Sequence, residues 1–178
     1  AQGGGIFTTR TLPRTDPNAK ALTKLNNQVL RAMGMTSGIN HAEFIKALDE
    51  GGKFYFLEVA ARVGGAHIAE MIEFATGINL WAERAKIEVA QARGETYTLP
   101  EVKDTYGGAI ICLAKQEWPD TSAFDDPEVV WRVPKKHHAG LILNSPDARR
   151  IQALLEAYAP RFAEEYLTSA PLPDKSRF

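Results

Sequence analysis

Cysteine is nearly absent from this 178-residue chain: Cys112 stands alone, so no internal disulfide can form. Its setting, Ala-Ile-Ile-Cys-Leu-Ala, carries no metal-ligand spacing and reads as a buried small hydrophobe. Net charge is also missing. Lys and Arg number 21 against 22 Asp and Glu, a formal charge of -1, which gives no overall field for a nucleic acid or a membrane surface. Long apolar runs are lacking. Stretches such as Ala109 to Ala114 are far too short to cross a bilayer, and no charged-then-apolar leader opens the chain. A reducing cytoplasm is the expected setting. No internal repeat is visible. An initial methionine is absent as well, and Gly3-Gly4-Gly5 runs straight into Ile6-Phe7-Thr8-Thr9, which reads as a segment cut from something longer.

What is present suffices for a packed core: 44% of residues are hydrophobic and 24% charged. Asp16-Pro17 offers an N-cap and a first-turn proline, and Leu22, Leu25, Val29 and Met33 recur at helical spacing until Gly34. Two strand-like runs follow, His41 to Ile45 and Lys53 to Val59, joined through Asp49-Glu50-Gly51-Gly52, a hairpin signature. Ile68, Met71, Ile72 and Ala75 mark a helix stopping at Gly77, and Asn79 caps another running toward Arg93. Beyond Pro100, strands are predicted over 106–115, 129–133 and 139–143. Ser145-Pro146 then opens a helix that Pro160 should kink or shorten. The fold class is α+β: an antiparallel sheet flanked by helices over 1–94, a linker at 95–103, a smaller α+β unit over 104–170 and a loose tail at 171–178.

The hairpin carries the chemistry. A turn centred between Glu50 and Gly51 sets Glu43 opposite Glu58, with Cβ atoms roughly 4.5–5.5 Å apart on one face. Two carboxylates at about 4 Å repel by about 4 kcal/mol at an effective dielectric of about 20, so a cation between them, or a held proton, is needed. Magnesium suits, since it is held by one or two carboxylates together with substrate phosphates, and manganese would serve in its place. Arg62, four residues past Glu58, projects from the same face if the extended conformation continues. Gly64 and Gly65 present backbone N–H groups before the next helix. His41, two residues before Glu43, shares its face, whereas adjacent His137 and His138 point apart and suit a loop or edge role.

These residues form a pattern. Gly34-Met35-Thr36-Ser37-Gly38-Ile39-Asn40-His41-Ala42-Glu43-Phe44, then Phe56-Leu57-Glu58-Val59-Ala60-Ala61-Arg62-Val63-Gly64-Gly65, then Thr76-Gly77-Ile78-Asn79-Leu80, together resemble the C-terminal half of the ATP-grasp core. The resemblance is to carboxylate–amine ligases, nearest to the L-amino-acid ligase and biotin carboxylase-like branch. It implies ATP as cosubstrate, with magnesium held by Glu43 and Glu58, and a carboxylate activated as an acyl phosphate before attack by an amine or a thiol. It further implies that Arg62 stabilises the transferred group and that His41, Gly64 and Gly65 line the nucleotide site. Many relatives have asparagine where this chain has Ala60, which puts a second metal in doubt. Ala66 before His67, in place of a glutamate, argues against bicarbonate as substrate. The implied partners are ATP, a small carboxylate with its amine, and N-terminal lobes of the same polypeptide, without which the segment is expected to be inactive; a homodimer is left open. The competing reading is a noncatalytic scaffold or oligomerisation domain.

Overall fold

The computed structural model describes residues 5–168, and the polypeptide divides into two compact units. Among the described residues, one comprises 5–11 together with 104–168, and the other spans Leu12–Lys103. This differs from the sequence reading, which grouped the N-terminal strand with the hairpin. The strand β1 (Phe7–Arg10) pairs antiparallel with β4 (Tyr106–Leu113), Thr9 opposite Ala109, and the Thr11 amide adds a hydrogen bond to the Gly107 carbonyl at 2.9 Å. Long-range strand pairing leaves no local trace in sequence, hence the misplacement.

In the 12–103 unit, α1 (Pro17–Ala32) begins as expected: the Asp16 side chain accepts from the Asn18 amide, and proline occupies the first turn. The hairpin of β2 (His41–Ala47) and β3 (Lys53–Ala60) is antiparallel. Two helices follow, α2 (Ile68–Thr76), closed by Gly77 at φ 76, and α3 (Leu80–Arg93), capped by the Asn79 side chain on the Ala82 amide and closed by Gly94 at φ 68. The predicted linker 95–103 is no free tether. The Tyr97 hydroxyl donates to the buried Glu83 at 2.6 Å, and the Lys103 amide donates to the Thr76 carbonyl, so the segment folds back onto α2 and α3. Burial and Glu83 together push the Tyr97 phenol up to about 12.

The other unit is a four-stranded antiparallel sheet ordered β1-β4-β6-β5, with β5 (Val129–Arg132) and β6 (His138–Ser145). The helix α4 (Ala148–Glu165) lies against β4, β6 and β1. Its cap is Asp147, whose side chain accepts from the Arg149 amide, one residue beyond the predicted Ser145-Pro146 start. Pro160 does not end it: the helix runs on to Glu165, held by buried Tyr158 and Phe162 on either side of the proline. The core joins Ile110, Leu141 and Leu143 of the sheet to Ile151, Leu154 and Phe162 of the helix. Cys112 lies within it, and burial pushes its thiol up to about 11, so it is inert at neutral pH. His137, at φ 56, occupies the tight turn into β6, and His138 starts the strand, which matches the loop or edge role. No helix among the described residues is long and apolar enough to cross a membrane, and the predicted 171–178 tail lies outside the described residues.

Candidate functional site

Glu43 and Glu58 are direct cross-strand partners. The route to that pairing is not the one the sequence suggested. From Phe44↔Phe56 down to Ala47↔Lys53 the register is one residue off a turn centred between Glu50 and Gly51, which alone would set Glu43 against Leu57. A β-bulge between these pairs and the next takes up Leu57 as the extra residue, and beyond it Glu43↔Glu58, Ala42↔Val59 and His41↔Ala60 face each other. Leu57 and Phe56 are both exposed, so the bulge is not held by burial of its own side chains. Edge-to-face packing of Phe44 on Phe56, with centroids 5.7 Å apart, fixes the ladder on the turn side of the site.

His41 sits beside the pair. Its Nδ1 lies 3.9 Å from Glu43 Oε1, and that nitrogen is buried without a hydrogen-bond partner. The Glu43 side chain is 46% exposed and that of His41 24%, which grades the site from open carboxylates to a shielded ring. Gly64 explains how the ring fits: a Cβ there would stand 3.1 Å from His41 Cδ2 and 3.4 Å from Ile68 Cγ2. Gly64 thus serves close approach, whereas Gly65 borders open space. The next two residues, Ala66 at φ 50 and His67 at φ 58, both hold left-handed backbone ahead of α2, a strained lead-in for non-glycine residues. His67 Nδ1 lies 3.3 Å from Glu70 Oε1 at the start of that helix.

Arg62 departs from the expectation. The strand ends at Ala60 and the Arg62 amide donates to the Ala60 carbonyl at 2.9 Å, so the chain turns at Ala61 and strand alternation no longer sets the direction of the guanidinium. Arg62 Nη1 instead donates to the Val63 carbonyl at 3.0 Å. Hairpin geometry therefore joins Glu43, Glu58 and His41, and Gly64 joins them through the His41 ring, but it does not carry Arg62 along.

A residue the sequence reading passed over belongs here. Asn26 of α1 lines a cavity of about 350 Å³ with Leu22, Asn40, His41, Ala42 and Phe44, and its Oδ1 is buried without a partner. Asn26 lies four residues after Leu22, a polar side chain in an apolar register, and that was the available signal. Among the described residues no three His, Cys, Asp or Glu side chains gather as a metal cage. A pair of carboxylates is nonetheless a fitting donor set for a hard cation that takes its remaining ligands from phosphate and water.

No family model matches the chain. A 96-residue stretch is 30% identical to the L-arginine-specific L-amino acid ligase of Bacillus subtilis, covering 54% of this chain and 22% of that protein. Among solved structures, the L-amino acid ligase of Bacillus licheniformis superposes with a TM-score of 0.63 at 15% identity, over 94% of this chain and 44% of the other. Phosphoribosylglycinamide synthetase of Anaerococcus prevotii gives 0.54 at 14% identity, over 84% and 42%. The chain spans less than half the length of these relatives. Part of the sequence is thus similar to an L-amino acid ligase, and the chain shares the α+β fold of the two solved enzymes.

Proposed function

We propose that this chain supplies the metal- and phosphate-handling half of an ATP-dependent carboxylate–amine or carboxylate–thiol ligase. The observation that carries the reading is the direct opposition of Glu43 and Glu58 across the bulged hairpin. Glu43 and Glu58 would hold magnesium, which when bound offsets their mutual repulsion and the charge of the ATP phosphates. Ala60, opposite His41, adds no ligand and favours a single ion. His41, set against the Gly64 backbone, lines the nucleotide side of the pair, and the Gly64 and Gly65 amides face phosphate oxygens. Arg62, on the turn that leaves β3, would have to swing from the Val63 carbonyl to stabilise charge on the γ-phosphoryl group as it passes from ATP to the substrate carboxylate with release of ADP; the amine then attacks the acyl phosphate, forming the amide and releasing phosphate. The remaining nucleotide contacts come from other lobes of the polypeptide, so the chain by itself turns nothing over.

The test has two parts. Manganese titrated into the 178-residue chain and followed by water proton relaxation should report a weak site that Glu43→Gln and Glu58→Gln each abolish. In the full-length protein that carries this chain, phosphate release in the presence of a carboxylate and an amine should fall by about 100-fold or more in Glu58→Gln. Undiminished release by that variant sinks the ligase reading, and absence of any metal-dependent binding favours the scaffold.

A further inference from the structure

The sheet-and-helix unit leaves one of its edges open. β1 ends the strand order with no strand on its outer side, and it runs in register with β4 without a bulge. The opposite edge is blunted: β5 is bulged between Val129 and Trp131, and Arg132 turns its guanidinium to the Thr121 and Phe124 carbonyls. Because the Thr11 amide bonds the Gly107 carbonyl, antiparallel alternation gives Phe7 and Thr9 the hydrogen bonds to β4 and turns the backbone N–H and C=O of Thr8 and Arg10 outward. The side chains of Thr8 and Arg10 share the face of Ile110 and Gly108, on which α4 lies. There they form a groove of about 370 Å³ with Gln152, Leu155 and Glu156 of α4. Its two charges are not paired with each other: among the described residues Arg10 has no ion pair, and Glu156 accepts a hydrogen bond from the neutral Gln152 amide at 2.8 Å.

We propose that the β1 edge joins a second copy of this chain, strand to strand, about a two-fold axis through Thr9. In that register Thr8 of one copy lies opposite Arg10 of the other. Each such pair exchanges both of its outward backbone hydrogen bonds, and the two four-stranded sheets become one. Residues opposite each other share a face, so Thr8 and Arg10 of the incoming strand enter the groove beside α4. Arg10 thereby meets Glu156 of the other copy, and the two-fold repeats the contact. This self-complementarity selects a second copy over an unrelated peptide, because the strand that fits the edge also carries the cation that the groove's carboxylate lacks. The helices do not obstruct the approach. With strands about 4.8 Å apart, the two β4 strands stand about 14 Å from each other, and the α4 helices seated on them, about 10–12 Å across, flank the seam. The surface belongs to the sheet-and-helix unit alone and does not depend on the acid pair of the hairpin or on the ligase reading.

Sedimentation velocity of the whole 178-residue chain, over about a hundredfold range of concentration, tests the assignment. A dimer that dissociates on dilution is expected. Arg10→Glu and Glu156→Arg should each weaken it by about tenfold or more, and the two combined should restore it. Thr8→Pro removes an outward amide while sparing the hydrogen bonds to β4, and it should leave a monomer whose unchanged circular dichroism verifies folding. The register has its own readout. Thr9→Cys sets each new thiol opposite its own copy, so mild oxidation should give a covalent dimer on a non-reducing gel, whereas the parent, whose one thiol at Cys112 is buried, gives none. A parent that is monomeric at every concentration, a charge exchange that fails to restore association, or a Thr9→Cys chain that forms no covalent dimer overturns the proposal. So does a dimer undiminished in the single-charge variants and in Thr8→Pro, which places the interface elsewhere.

Discussion

Asp126 accepts from the Tyr158 hydroxyl through one oxygen and from Arg150 Nη2 at 2.6 Å through the other, and Arg150 also donates to Glu128 at 2.9 and 3.2 Å. The Tyr158 hydrogen bond, followed by that of Arg150, holds the Asp126 carboxyl below the ordinary carboxylate range, and the Arg150 hydrogen bond does the same for Glu128. Both carboxyls thus bind protons less readily folded than unfolded. Their contribution is present above the unfolded values, near pH 4, and is lost as pH falls through the lower folded values. Tyr158 has the opposite sign: burial, then Asp126, raises its phenol, so its contribution is complete below about pH 10 and is lost above it. Asp126→Asn should cost about 1 kcal/mol near neutrality and flatten the acid limb, with urea midpoints measured from about pH 7 down to about pH 2 as the readout. An acid limb as steep in the variant as in the parent would show that Asp126 is not among the groups responsible.

Elements meet most tightly where side chains are missing. At Gly108 a Cβ would stand 2.7 Å from Ile151 Cγ2 and 3.3 Å from Leu155 Cδ1, so α4 rests on the bare backbone of β4. Gly108→Ala should therefore cost about 1–3 kcal/mol, and Ile151→Ala about 2–5 kcal/mol. Combined, the two costs should fall short of additive, because removing Cγ2 makes room for the new methyl; urea denaturation of the four proteins gives the coupling directly. A strictly additive cycle would mean that α4 is not seated on Gly108. Such approaches are invisible before the fold is known, since Gly107-Gly108 reads equally well as a turn. Local chemistry was legible: the Asp16-Pro17 cap, the Gly77 stop, the Asn79 cap and the hairpin all follow from short-range rules. The opposition of Glu43 and Glu58 was also legible, but through a turn placed half a residue off and an unforeseen bulge at Leu57 that cancelled the error. Pairing of β1 with β4, about a hundred residues away in sequence, and the direction of Arg62 past the turn at Ala61 depend on contacts that no window of the sequence contains.

The two units differ in how much they bury. Around Phe124 the sheet-and-helix unit closes an aromatic cluster with Tyr158, Phe162 and Tyr166, tied down by Arg132, whose guanidinium donates to the Thr121 and Phe124 carbonyls. In the 12–103 unit the buried apolar residues are small or few, chiefly Val63, Ala69, Met71, Ala75 and Ile78, and α1 buries none of its residues. Exposed Ile45, Leu48, Phe56, Leu57 and Trp81 leave apolar surface in water that would otherwise stabilise it. Burial per residue sets the balance against chain entropy, so the units should not melt together. Calorimetry should resolve two transitions, the lower from residues 12–103. Met71→Ala should shift only the lower and Phe162→Ala only the upper, each site losing about 2–5 kcal/mol. Hydrogen exchange provides the independent check: amides of β4, β6 and α4 should exchange slowest and those of α1 and α3 fastest. A single transition that both substitutions move equally would mean that the candidate site is stabilised by the core of the other unit, and that the acid pair inherits a rigidity its own unit does not supply.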